Sequence, residues 1–103
     1  MAGTVGRYRK PDGREEIRIH FPEWELADGR VARNVSVFPH VCGTCAGGDH
    51  THVEINDTRE PIEILERGAV TFSDKHAAVI ESLIIAKLAV DALTLKLMRY
   101  VKA

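Results

Sequence analysis

Net charge is nearly absent from this chain: 14 lysines and arginines face 15 aspartates and glutamates, leaving −1. No global basic field therefore points to nucleic acid or an anionic membrane surface. Also missing is any uncharged apolar run of about 18 residues, so no membrane-spanning helix is expected. Residues 1–8 lack the apolar stretch of a secretory leader, and a cytoplasmic protein is expected. Cysteine is scarce as well. Two cysteines, separated by only two residues, favour a thiolate ligand pair over a structural disulfide in such a compartment. Internal repeats, low-complexity tracts and linkers are lacking, so residues 1–103 read as a single domain. A core of that size is modest, and a bound metal would help it materially. Finally, Gly47-Gly48 lacks the Lys-Ser/Thr and following helix of a phosphate loop, and no Ser/His/Asp order is readable.

What the chain does have is concentrated in residues 39–52, P-H-V-C-G-T-C-A-G-G-D-H-T-H, which hold both cysteines and three of the five histidines. The pattern is Cys42-x2-Cys45 followed by His50-x-His52. Cys and His are the donors zinc prefers, and four of them fill a tetrahedral site. One residue between the histidines is too few for the usual helical half-site but suits a strand, where positions i and i+2 share a side. The flanks agree. Val35, Val37 and Val41 fall on one parity, with Ser36, Phe38, His40 and Cys42 on the other. Val53 and Ile55 likewise alternate with His50, His52 and Glu54. Folding these segments together through residues 43–49 gives a hairpin with one aliphatic face and one ligand face. Gly43, Gly47 and Gly48 suit a tight metal-binding knuckle at its tip.

The expected ligands are Cys42, Cys45, His50 and His52, with His40 as an alternate. Zinc is the expected ion, and iron or nickel also match a mixed sulfur and nitrogen set. Glu54 and Asp49 are carboxylates within reach to orient an imidazole or act as a base. His76 is expected to decorate a helix start rather than join the site. A redox dithiol is the competing use of Cys42 and Cys45, although Ala-Gly-Gly after the second cysteine is a poor helix start.

The rest of residues 1–72 reads as β-rich. Pro11-Asp12-Gly13 and Asp28-Gly29 are turn signals, and Ile17, Ile19 and Phe21 alternate with Arg18 and His20. Pro22 interrupts before Trp24 and Leu26. Residues 30–41 run into the ligand loop, Asn56-Asp57 ends the next strand, and residues 61–66 and 69–72 flank Arg67-Gly68. The basic residues Arg7, Arg9, Lys10, Arg14 and Arg18 interleave with Asp12, Glu15 and Glu16, which suggests a solvated face. The period changes at Ser73, a good N-cap with Asp74 in the first turn. No Gly or Pro follows through Tyr100, so a helix over 73–101 is expected, about 40 Å long at 1.5 Å per residue.

That helix carries two apolar rows. Val79, Leu83, Ala86, Val90, Leu93, Leu97 and Tyr100 follow alternating steps of four and three, the spacing of a helix–helix seam. Ala77, Ile80, Ile84, Leu88, Leu95 and Met98 form the second row. One helix on one sheet needs only one such stripe, so the second implies another copy. Lys87 and Asp91 are placed for an i,i+4 pair.

These features predict an α+β fold: an antiparallel β-meander of five to seven short strands, then one long C-terminal helix. The expected function is a small metal-binding protein, homodimeric or of higher homo-oligomeric order through that helix, acting as a binding or regulatory subunit. A protein partner also fits; nucleic acid is not expected. The alternative is a small metalloenzyme or thiol-redox protein using the same four residues.

Overall fold

The computed structural model describes residues 2–40 and 50–101. The predicted α+β architecture is present, as a five-stranded antiparallel sheet followed by one long helix. The strands are β1 (Gly3–Arg9), β2 (Glu15–Glu25), β3 (Val31–His40), β4 (His50–Glu54) and β5 (Glu63–Val70), and the helix is α1 (Asp74–Val101). Both early turns close as their residues dictate. Gly13 and Gly29 take φ of 87° and 90°, conformations that L side chains avoid. Asp12 Oδ1 and Asp28 Oδ1 accept the backbone N–H groups of Arg14 and Arg30 at 3.0 and 2.9 Å.

The spatial order is β4-β3-β2-β1-β5. Strands β1 to β4 follow one another as a meander, and β5 then returns to the far edge to pair with β1. The connecting segment 55–62 has to cross the sheet. It is pinned at one end by Asn56 N to Arg33 O (2.9 Å) and Asp57 N to Asn34 O (3.0 Å). At the other end, Ile62 N donates to Arg7 O at 2.6 Å. Arg67-Gly68, read from sequence as a break between two segments, lies inside β5. Gly68 has φ 67°, and the β1–β5 register slips there, as at a β-bulge.

The helix covers one face of the sheet. Its core unites Phe21, Trp24, Leu26, Ala32, Val35, Val37 and Val53 with Ile80 and Ile84. Phe21 and Trp24 meet edge to face with ring centroids 5.2 Å apart. These two residues differ in parity, yet both point at the helix. The reason lies at the Pro22 and Asn34 positions, which drop out of an otherwise constant β2–β3 register. Asn34 adopts φ 50°, a left-handed conformation that Asn tolerates. Both strands change facing there together. Trp24 Nε1 then donates to Glu81 Oε1 at 3.3 Å, tying the sheet to the helix.

Helix α1 begins as its sequence indicates. Ser73 Oγ accepts the His76 N–H at 3.3 Å, an N-cap bond, and Lys87 pairs with Asp91 at 3.0 Å. Up to residue 91 the two apolar rows mostly differ in fate, although Leu83 of the seam row also packs against the core, and Leu95 and Met98 of the second row are exposed. Ile80 and Ile84 are buried, and Ala77 and Leu88 pack against the core from its margin. In the other row Val79, Val90, Leu93 and Leu97 are all more than half exposed, and beyond residue 91 every described side chain of the helix is exposed. Among the described residues, no helix is long and apolar enough to cross a membrane.

Candidate metal centre and the polar face of the sheet

The β3–β4 hairpin forms in the expected register. His40 pairs with His50, Phe38 with His52, and Ser36 with Glu54. Val37 and Val53 turn to the helix and are buried, which sends Phe38, His52 and Glu54 to the opposite face by strand alternation. His50 and His52 converge there. Their Nε2 atoms lie 2.6 Å apart, and their ring centroids are separated by 4.5 Å. The His52 ring also leans on Phe38 at a centroid distance of 5.9 Å. A contact this short between imidazole nitrogens requires one to donate and the other to accept. Cys42, Cys45 and Asp49 lie outside the described residues, as do the knuckle glycines. Among the described residues, no group of three His, Cys, Asp or Glu side chains is placed to hold a metal ion.

Glu54 is occupied elsewhere. Its Oε2 accepts Arg18 Nη1 at 2.6 Å and Arg59 Nη2 at 2.9 Å. His76 stays on the exposed first turn of α1, along a groove shared with Pro39 and Thr51.

The polar face holds a second constellation that sequence reasoning missed. Arg18, grouped above with a solvated basic stretch, is only 3% exposed. Its correct environment is a covered one, because segment 55–62 crosses over it. Arg18 Nη1 donates to Asp57 Oδ2 at 2.9 Å, and Glu16 pairs with the same guanidinium. The guanidinium carbon sits 3.8 Å from the centre of the Phe38 ring, a cation–π contact. Ser36 Oγ donates to Asp57 Oδ2 at 2.8 Å, and Arg59 Nε to Asp57 Oδ1 at 3.1 Å. Burial alone would raise the Asp57 carboxyl. Hydrogen bonds from Arg59 and Ser36 outweigh it and hold the group at about 2. Arg59 is disfavoured as a cation by burial, but its bond to Asp57 raises it above the usual value. Only the sequence pair Asn56-Asp57 hinted at this region, and it was legible as a turn alone. The other basic residues do sit on a wet face, where Arg7 pairs with Glu15 and Glu63, and Arg14 with Asp12.

Beside this network, between the crossover and strands β1, β2 and β5, lies a cavity of about 500 Å³. Tyr8, His20, Asn34, Asp57 and Arg67 are among its walls. No protein-family model matches this chain, and neither a curated protein nor a solved structure does.

Proposed function

We propose that this chain is a small metal-binding α+β protein whose ion, zinc by the character of its donors, is held by Cys42, Cys45, His50 and His52. The observation that carries this reading is the approach of His50 Nε2 and His52 Nε2 to 2.6 Å, a few residues along the sequence from both cysteines. Zinc–nitrogen bonds of about 2.0–2.1 Å in a tetrahedron set two nitrogens roughly 3.3 Å apart. The two rings need part by less than an ångström to admit the ion. His40, whose backbone is the register partner of His50, is the alternate fourth ligand, and iron or nickel would suit the same donors.

We further propose that two or more copies associate through the uncovered row of α1, with the chain acting as a binding or regulatory subunit in the cytoplasm. A reducing compartment keeps both thiols available to the metal. The support is the four–three spacing of Val79, Leu83, Val90, Leu93 and Leu97 together with the exposure of most of that row. A second copy presenting the same seam would bury both.

Elemental analysis of the purified protein, paired with Cys42→Ser and His52→Ala variants, tests the metal. One equivalent in the parent, lost in both variants, supports the reading; no metal and freely titrating thiols would sink it in favour of thiol-redox chemistry. A metalloenzyme using the same ion is the competing reading. It requires a water in one of the four positions, which spectroscopy of the cobalt-substituted protein detects as one protein donor fewer than a closed site and as a spectrum that changes with pH.

A further inference from the structure

Tyr8 is 3% exposed, and its hydroxyl has no hydrogen-bond partner among the described residues. The hydroxyl is not among the buried polar atoms that lack a partner, so it keeps access to solvent at the end of an otherwise buried ring, and the direction in which it points matters. The side chain lies over Gly6: a Cβ built there would meet Tyr8 Cε1 at 3.0 Å and Pro61 Cβ at 3.0 Å. The ring is thus clamped between β1 and the crossover, and Tyr8 lines the 500 Å³ cavity described above.

Other donors meet it there. The register sets Thr4 of β1 opposite His20 of β2 on one side and Arg67 of β5 on the other, and all three line the same cavity. Neither His20 nor Arg67 makes an ion pair or side-chain hydrogen bond among the described residues. The remaining charges are already spent or solvated. Asp57 is saturated by Arg18, Ser36 and Arg59, Arg59 is tied to Asp57 and Glu54, and Glu60 is exposed. Burial first, and the Asp57 charge second, raise the Tyr8 phenol above its ordinary value. The phenol therefore stays protonated and able to donate.

We propose that this cavity binds the oxyanion group, carboxylate or phosphoryl, of a small molecule, with Tyr8, His20 and Arg67 as its donors. The site is separate from the His50–His52 pair and does not depend on a metal. Guanidinium and phenol donors to an anion make charge-assisted bonds about twice as strong as neutral ones. The fixed ring of Tyr8 loses no freedom on binding, and Arg67 reaches in from the rim.

The test is a titration of the full-length, isotopically labelled protein with inorganic phosphate and, separately, with succinate at constant ionic strength, read by amide chemical shifts. Saturable shifts centred on Thr4, His20 and Arg67 are expected with at least one of the two, and which one saturates assigns phosphoryl or carboxylate. Tyr8→Phe, which keeps the clamped ring, and Arg67→Gln should each weaken binding about tenfold, the loss of one charge-assisted bond. Glu60→Gln should tighten it, and His52→Ala should leave it unchanged. Shifts that stay linear through the millimolar range with both anions would overturn the proposal. So would equal affinity in Tyr8→Phe and Arg67→Gln, or loss of binding in His52→Ala, which would move the anion to the metal.

Discussion

Arg18 and Asp57, 39 positions apart, meet through a 2.9 Å hydrogen bond beneath the β4–β5 crossover. This contact links the local pattern of β2 to the topology of the whole sheet. Alternation along β2 sends Arg18 away from the helix, where water would ordinarily receive it. Because β5 pairs with β1 rather than β4, the chain must return across that face, and it brings Asp57 with it. One buried cation is thereby matched by Asp57, Glu16 and Glu54. The crossover then roofs the cavity containing the Tyr8 hydroxyl.

Breaking that pair should be expensive. Asp57→Asn leaves Arg18 and Arg59 with one carboxylate fewer in a covered setting, and about 3 kcal/mol of stability should be lost. Urea unfolding of the variant beside the parent measures it. The acid limb provides an independent check. Asp57 titrates at about 2 when folded, below its value in the unfolded chain, so its contribution is fully present above the unfolded carboxyl pKa. It disappears as pH falls through the folded pKa, and roughly 2 kcal/mol should vanish between about pH 4 and pH 2. In Asp57→Asn that part of the pH dependence should be missing.

Gly6→Ala should destabilise the protein although Gly6 lies in an ordinary strand. The added methyl would meet Pro61 Cβ and Tyr8 Cε1 at 3.0 Å and the Glu63 carbonyl oxygen at 3.3 Å. Two of these are held by the crossover and by β5, so relief means lifting segment 55–62 off the sheet. A cost of about 2 kcal/mol is expected, with faster amide exchange at Asp57 and Ile62 as its local signature. Unchanged exchange there would mean that the crossover is not the element that yields.

Local pattern made much of this fold readable. Ile17, Ile19 and Phe21 announce β2 by their period, Asp12-Gly13 and Asp28-Gly29 mark the turns, and Ser73 marks the change to helix. Long-range choices left no such trace. Nothing in residues 61–70 says that β5 seeks β1, and the joint change of facing at Pro22 and Asn34 appears only once β2 and β3 are paired. The same holds for the sites. His50 and His52 are two apart on one strand, so their convergence could be read directly. Tyr8, His20 and Arg67 come from three strands, and the cavity they share exists only because a connection with no regular structure crosses above them.

The two rows of α1 should separate cleanly under substitution. Ile84 is completely buried against the sheet, whereas Leu93 is 56% exposed. Ile84→Ala should cost about 3 kcal/mol in stability by leaving a cavity while the association state is retained. Leu93→Glu touches no core, so the stability of the separated chain should change by less than about 0.5 kcal/mol. Sedimentation equilibrium should show the parent as a dimer or higher oligomer and Leu93→Glu as a monomer. A parent that is monomeric at micromolar concentration would remove the second copy from the proposal.

Metal binding should appear in stability as well as in composition. A ligand that binds only the folded chain adds RT ln(1 + [L]/Kd), about 4 kcal/mol when free metal exceeds Kd a thousandfold. The parent should therefore unfold at a higher temperature with zinc than after chelation. His52→Ala should show one lower midpoint in both conditions, because the paired imidazoles at 2.6 Å are reduced to one. Cys42→Ser should behave alike if loop sulfur and strand nitrogen share the ion. If His52→Ala loses the zinc response while Cys42→Ser keeps it, the ion rests on the histidine side alone, and His40 becomes the residue to substitute next.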